Sequence, residues 1–416
     1  MQTLKVDTSE DSVAPDMLLT LQLRTANEPF LPRLKSFDCE EVTRAFIPFI
    51  PLFLSPQTTK INVGFAQDSP TVAVASMITG FPTLCPDLAY IVLRDIPRDP
   101  VITDAVSEML LACNRDSLEA FHVDAPLTEE AREVVFQLPR LTGLWVVIEG
   151  PTSLPTVTLP NLIKIDVEYR DDLNWLRGFR GAKLEKLESV TFRPDSGLDD
   201  NFLECVGLAA SAQNTLSSFR YYTSRSWDPD YRSLLPFKQL KELEIEFSCG
   251  GGCSSKVDDD IIMNLAGAMP KLEILRLGGA PCRTRTGATV SGLISLASRC
   301  PNLSKLCIHF QASSLVHAAT SAVTPAAVDD EPVVRRKDCA LTDLEVGETP
   351  IPAESALTVA LMLLQIFPRI FRVDYTNREW DTVAETIEDF GRIGAFVHRS
   401  GKADLSHIRL SIMTPP

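Results

Sequence analysis

Apolar residues recur along this chain in one six-position frame, L-x-x-L-x-L. Leu88, Ile91 and Leu93 set it, and Leu141/Leu144/Val146, Leu162/Ile165/Val167, Leu272/Leu275/Leu277 and Leu303/Leu306/Ile308 repeat it. The last two members are two residues apart, so they point to one face of a strand, and the first anchors the turn that enters it. The frame returns at Leu118/Phe121/Val123, Leu187/Val190/Phe192, Leu216/Phe219/Tyr221, Leu240/Leu243/Ile245 and Leu341/Leu344/Val346, with weaker copies starting at Leu18 and Thr58. Several copies are entered through an apolar-Pro-x-Leu phrase, as in Cys85-Pro-Asp-Leu88, Leu138-Pro-Arg-Leu141 and Met269-Pro-Lys-Leu272. The proline has no N–H to continue a helical ladder, so it ends the preceding helix. Between frames the apolar spacing predicts helices over 101–112, over 259–268 with Asp258 or Asp259 as N-cap, and over 289–298.

From Leu18 to Ile370 the frames recur about every 27 residues, with individual spacings from 16 to 38. That mean lies in the roughly 20–29-residue period of leucine-rich repeats. A doubly wound βαβ domain also alternates strands and helices, but it would not repeat one frame about a dozen times. The expectation is therefore an α/β fold, an irregular leucine-rich-repeat solenoid. It would be a curved horseshoe with parallel strands on the concave face and helices and loops on the convex face. The expected organisation is a disordered N-terminal segment over 1–16, the solenoid over 17–378, and a capping helix and tail over 379–416, the helix spanning 380–398. Two stretches break the rhythm: the Gly/Ser-rich 248–258, read as a mobile loop, and the Ala/Ser/Val-rich 312–337, read as a mobile insertion.

Charge and chemistry narrow the function. The net charge of -15, from 55 acidic and 40 basic residues, argues against a general nucleic-acid binder. The start of the chain is polar, and the apolar run Val359–Phe367 is too short to span a bilayer. The expectation is a monomer in the cytoplasm or nucleus with its ten cysteines as thiols. Cys249 and Cys253 have C-x-x-x-C spacing with no second pair, so no metal site is expected. Cys85 and Cys300 fall at the helix-ending position of the repeat, where burial explains them. Cys307 and His309 would share a strand face, but no Gly-rich elbow accompanies them, and phosphate-loop and zinc-protease motifs are absent. The reading is not an enzyme, with no cofactor.

A protein target on the concave face is expected instead. The outward strand positions nominate Tyr90, Arg94, His122, Trp145, Asp166, Arg220, Tyr222, Glu242, Glu244 and Arg276 as partner-binding residues. Lys164 and Arg193 are also outward but are not among the ten. Trp145, Arg220 and Tyr222 are the residue types that dominate interface energetics, while Glu242, Glu244 and Glu246 make an acidic strand face suited to a basic peptide.

The Leu159-Pro-Asn-Leu162 and Cys300-Pro-Asn-Leu303 cadence, the irregular spacing and the segment Phe46–Leu54 resemble the leucine-rich-repeat region of fungal F-box proteins, especially those of mushroom-forming (basidiomycete) fungi, over roughly Leu18–Leu410. The resemblance implies a substrate receptor, its repeats holding a target while an N-terminal F-box docks on the Skp adaptor of a cullin ubiquitin ligase. Met1–Pro15 is too short for an F-box, so the expectation is either an F-box upstream or a stand-alone scaffold or inhibitor with no ligase role.

Overall fold

A computed structural model of the chain describes residues 3–6, 18–20, 29–149, 157–170, 174–179, 181–194, 202–223, 229–247, 257–278, 287–321, 339–351 and 354–400. The chain divides into two compact units, Met1–Phe247 and Ser248–Pro416.

In the first unit ten strands lie side by side in chain order. They are β1 (Thr3–Val6), β2 (Ser36–Val42), β3 (Lys60–Phe65), β4 (Tyr90–Arg94), β5 (Ala120–Pro126), β6 (Gly143–Ile148), β7 (Lys164–Tyr169), β8 (Ser189–Pro194), β9 (Ser218–Thr223) and β10 (Glu242–Phe247). Each pairs in parallel with the next. The frame explains the register: Leu93 lies opposite Val123, Leu144 opposite Ile165, Val167 opposite Phe192. All these side chains are buried, and every strand from β2 to β10 contributes two apolar residues to one continuous core. The helices α1 (Thr71–Leu84), α2 (Pro100–Ala112), α3 (Glu129–Val135) and α4 (Phe202–Ala209) return the chain between strands.

A carbonyl spine runs beside the strand entrances. In each step from β2 to β10 one carbonyl just before or at the start of a strand accepts two N–H groups from the following repeat. Ala89 O accepts from Glu119 N and Ala120 N at 2.8 and 2.9 Å, Glu119 O from Thr142 N and Gly143 N, and Thr142 O from Ile163 N and Lys164 N. Hydroxyls reinforce it, Thr142 Oγ1 donating to Glu119 O at 2.9 Å and Ser217 Oγ to Glu188 O at 3.1 Å. These bonds satisfy backbone groups that a turn would otherwise leave unpaired.

The second unit has four parallel strands, β11 (Ile274–Leu277), β12 (Lys305–Ile308), β13 (Asp343–Gly347) and β14 (Arg372–Tyr375). Its helices are α5 (Asp259–Ala268), α6 (Val290–Arg299), α7 (Ala312–Ser321), α8 (Ala356–Ile366) and α9 (Asp381–Ser400). The spine recurs: Glu273 O accepts from Ser304 N and Lys305 N, and Ser304 O from Thr342 N and Asp343 N. Asp258 caps α5 through Ile261 N at 2.9 Å. Asp259, one residue on, reaches across to the start of α6, accepting Thr289 N at 2.8 Å and Gly292 N at 3.0 Å on Oδ1 and the Thr289 hydroxyl on Oδ2. One carboxylate thereby satisfies orphan donors of the neighbouring helix. Cys85 and Cys300 are buried C-caps of α1 and α6, and burial pushes their thiols up to about 11 and about 12. Trp380, fully buried ahead of α9, donates its indole N–H to Thr349 O at 2.7 Å.

Each unit is thus an α/β solenoid of leucine-rich-repeat type, as the frame predicts. Two expectations need correction. The first strand is Thr3–Val6 inside the segment expected to be disordered over 1–16, because Leu4 and Val6 alternate beside Phe37 and Cys39. The frame at Leu18 is not a strand; Leu18–Thr20 are helical. The segment expected as an insertion over 312–337 begins as α7, and its remainder lies outside the described residues, as do Cys249, Cys253 and Cys282.

Candidate partner-binding face and a cavity beside it

Strand residues that alternate with the core positions form an open face of half-buried side chains. Nine of the ten nominated residues lie on this face in the first unit: Tyr90 and Arg94 on β4, His122 on β5, Trp145 on β6, Asp166 on β7, Arg220 and Tyr222 on β9, Glu242 and Glu244 on β10. Arg276 belongs to the second unit, where it pairs with Glu345 at 3.0 Å across the intervening strand β12.

The ladder brings His122 opposite Trp145, and their rings lie against each other at a tilt of 34° with centroids 3.8 Å apart. Arg193 on β8 completes the group. Its guanidinium lies 4.9 Å from the Trp145 ring centroid and 5.3 Å from that of Tyr222, so one cation is shared by two aromatic faces. Asp166, only 3% exposed, holds Arg193 Nη1 at 3.1 Å. Burial pushes the Asp166 carboxyl up to about 6, against the opposing pull of Arg193, Lys164 and Arg220. Burial also pushes His122 down to about 4, assisted by Lys164, Arg94 and Arg193, so the imidazole is neutral at pH 7. His122 Nε2, Trp145 Nε1 and Arg94 Nε are buried without a hydrogen-bond partner among the described residues. Each such group costs about 1–3 kcal/mol.

Two of the three acidic side chains of β10 are already engaged by β9. Glu242 accepts from Arg220 at 2.7 Å and from Ser218 at 3.0 Å, and Glu244 accepts from the Tyr222 hydroxyl at 2.7 Å. Tyr90 is similarly engaged, donating to Glu119 at 2.8 Å under the Lys60 ammonium. Arg94 donates to Asn62 at 3.2 Å, which in turn donates to Asp38 at 2.8 Å. These cross-strand bonds fix the aromatic and arginine side chains in one arrangement before any partner arrives.

Beyond the C-terminal ends of β4–β7 lies a cavity of about 390 Å³, lined in part by Arg98, Asp124, Arg132, Glu149 and Arg170. Arg170 ion-pairs with Glu149 and, at 3.4 Å, with Glu168; Arg98 pairs with Glu168 at 3.2 Å. Arg132 on α3 is 8% exposed and donates to the backbone oxygen of Glu149 at 2.6 Å. Sequence reasoning missed this cavity, because its residues come from loops and strand ends outside the frame. Its one signal is Arg132 on the flank of the Ala131/Val135 stripe of α3. Among the described residues no three His, Cys, Asp or Glu side chains gather as a metal site, and no helix is long and apolar enough to cross a membrane.

No protein-family model matches the chain, and no curated protein matches it. Among solved structures it is similar to a crystal structure of the Rad7 and Elc1 complex in yeast, at 13% identity and a TM-score of 0.47, over 88% of this chain and 86% of that chain.

Proposed function

We propose that this chain is a protein-interaction module without enzymatic activity, which takes its target on the open strand face around Trp145, Arg193 and Tyr222. The observation that carries the reading is the shared cation: Arg193, held by Asp166, lies against the rings of Trp145 and Tyr222, and Tyr222 is itself held by Glu244. Trp, Tyr and Arg held rigidly and half-desolvated are what concentrates binding energy in an interface, since little side-chain entropy remains to be lost. Within this class the resemblance to fungal F-box proteins favours a substrate receptor that reaches a Skp adaptor and cullin through an F-box. The second reading is a stand-alone scaffold or inhibitor.

The test is affinity purification of the tagged chain from a fungal host beside Trp145→Ala, Arg193→Ala and Val72→Ser, the last altering an exposed residue on α1. A protein retained by wild type and Val72→Ser but lost from the other two supports the face. Equal recovery by all four would sink it. A Skp adaptor and cullin among the retained proteins favours the receptor reading; one stoichiometric partner without them favours the scaffold.

A further inference from the structure

Of the three guanidiniums that line the cavity beyond β4–β7, one lacks a carboxylate partner among the described residues. Arg170 and Arg98 have carboxylate partners in Glu149 and Glu168. Of the acids nearby, Asp99 accepts from Val101 N at 2.9 Å, Asp124 accepts from Asp95 N at 3.2 Å, and Asp104 is exposed. Arg132 is different. More than nine-tenths of it is buried, its bond is to a neutral backbone oxygen, and its Nε has no partner. No carboxylate lies within ion-pair distance of it among the described residues. Burial accordingly lowers its affinity for its proton, only partly offset by Glu129. A buried guanidinium without a counter-charge is costly, and proteins ordinarily pair such a group.

We propose that the missing counter-charge is a ligand, and that the cavity binds a small organic or inorganic anion through a carboxylate or phosphoryl group set against Arg132. Arg98, with its side chain 64% exposed, supplies a second cation at the mouth. The volume falls in the range of about 300–1,000 Å³ usual for small-molecule sites. A planar guanidinium suits both ligand groups because its forked donors match two oxygens at once. The interaction face does not use Arg132, so this inference stands apart from the proposed partner binding.

The experiment is a titration of the whole chain with citrate and, separately, with inorganic phosphate, each against sodium chloride of equal ionic strength. It is followed by calorimetry and by melting temperature. The expected result is saturable binding of at least one anion at millimolar concentration or below. Arg132→Met should lose it, and Arg98→Gln should weaken it about tenfold, the scale of one charged hydrogen bond. General salting effects would raise both melting temperatures alike and without saturation. Absence of saturable binding to wild type, or undiminished binding to Arg132→Met, overturns the proposal. Should Arg132→Met fail to fold, Arg98→Gln decides, and unchanged affinity there overturns it equally.

Discussion

Arg193 lies opposite Glu168 in the parallel ladder, yet its Nη1 is 3.1 Å from Asp166 Oδ1, two residues back along β7. That diagonal reach carries the guanidinium towards β6 and over the Trp145 ring. A lysine could keep the charge near Asp166 but could not present a flat cation to two rings. Arg193→Lys is expected to lower stability by about 1 kcal/mol, and to weaken partner binding by more than that. Urea unfolding gives the first value and titration with the recovered partner the second. A lysine variant equal to wild type in both would remove Arg193 from the centre of the site.

His122 and Asp166 impose opposite pH dependence on stability. Asp166 titrates near 6 when folded and near 4 when unfolded, so the folded state holds its proton more tightly between those values. Its contribution is full below about pH 4 and is lost as pH rises through 6, a change on the order of 3 kcal/mol. His122 is depressed to about 4 from an ordinary 6.5, so its contribution is present above 6.5 and is lost as pH falls towards 4. Relative to wild type, His122→Gln should lose stability as pH rises from 4 to 6, and Asp166→Asn should gain it. Urea midpoints at three pH values check this, because all other carboxylates cancel in the comparison. Curves parallel to wild type would mean that neither group is desolvated.

Asp259 serves a helix to which it does not belong. Asp259→Ala should leave Thr289 N and Gly292 N without their acceptor and cost about 1–3 kcal/mol. Asp258→Ala removes an ordinary cap and should cost about 1 kcal/mol. Thermal or urea denaturation ranks the two, and equal losses would argue that Asp259 acts only within α5.

Gly347 has a positive φ of 56°, and a Cβ there would overlap the His309 ring. Gly347→Ala is expected to destabilise by about 2 kcal/mol or more through combined backbone strain and overlap. Adding His309→Ala relieves the overlap but not the strain, so the double variant should be more stable than the sum of the singles requires. Strict additivity would show that the two do not touch.

The repeat was legible because each strand buries two apolar residues at fixed spacing, a constraint that leaves an unambiguous period. Eleven of the twelve frames set out above, from Thr58 to Leu341, open strands β3–β13, and the frame at Leu18 does not. The failure at Leu18 and the oversight at Leu4 share a cause: at the start of an array, short apolar alternations have no preceding copy to fix their phase. Outward positions were legible for the same reason as the core, since a two-residue period fixes both faces. What those outward residues do to one another was not. The diagonal from Arg193 to Asp166 and the neutralisation of Glu242 by Arg220 depend on side-chain length and on which strand lies next. Glu242 and Glu244 therefore looked free from sequence and are engaged by β9 in the structure. The Arg132 cavity was less accessible still, because its lining comes from the variable connections that the repeat leaves free.

The carbonyl spine bears on how such a chain tolerates insertion. Because Glu119 O receives both Thr142 N and Gly143 N, the hand-over between successive strands is fixed by backbone atoms within two residues of the strand start. Connection length does not enter into it, and the Thr142 and Ser217 hydroxyls only add to bonds the backbone already makes. The 21-residue step from Leu141 to Leu162 and the 38-residue step from Leu303 to Leu341 therefore arrive at the same geometry, and the returning segment can be a full helix, a single turn or an extended run. Lengthening or shortening a connection alters the outer surface while leaving the open strand face in register. The two surfaces can then diverge independently, one keeping a recognition pattern while the other is rewritten.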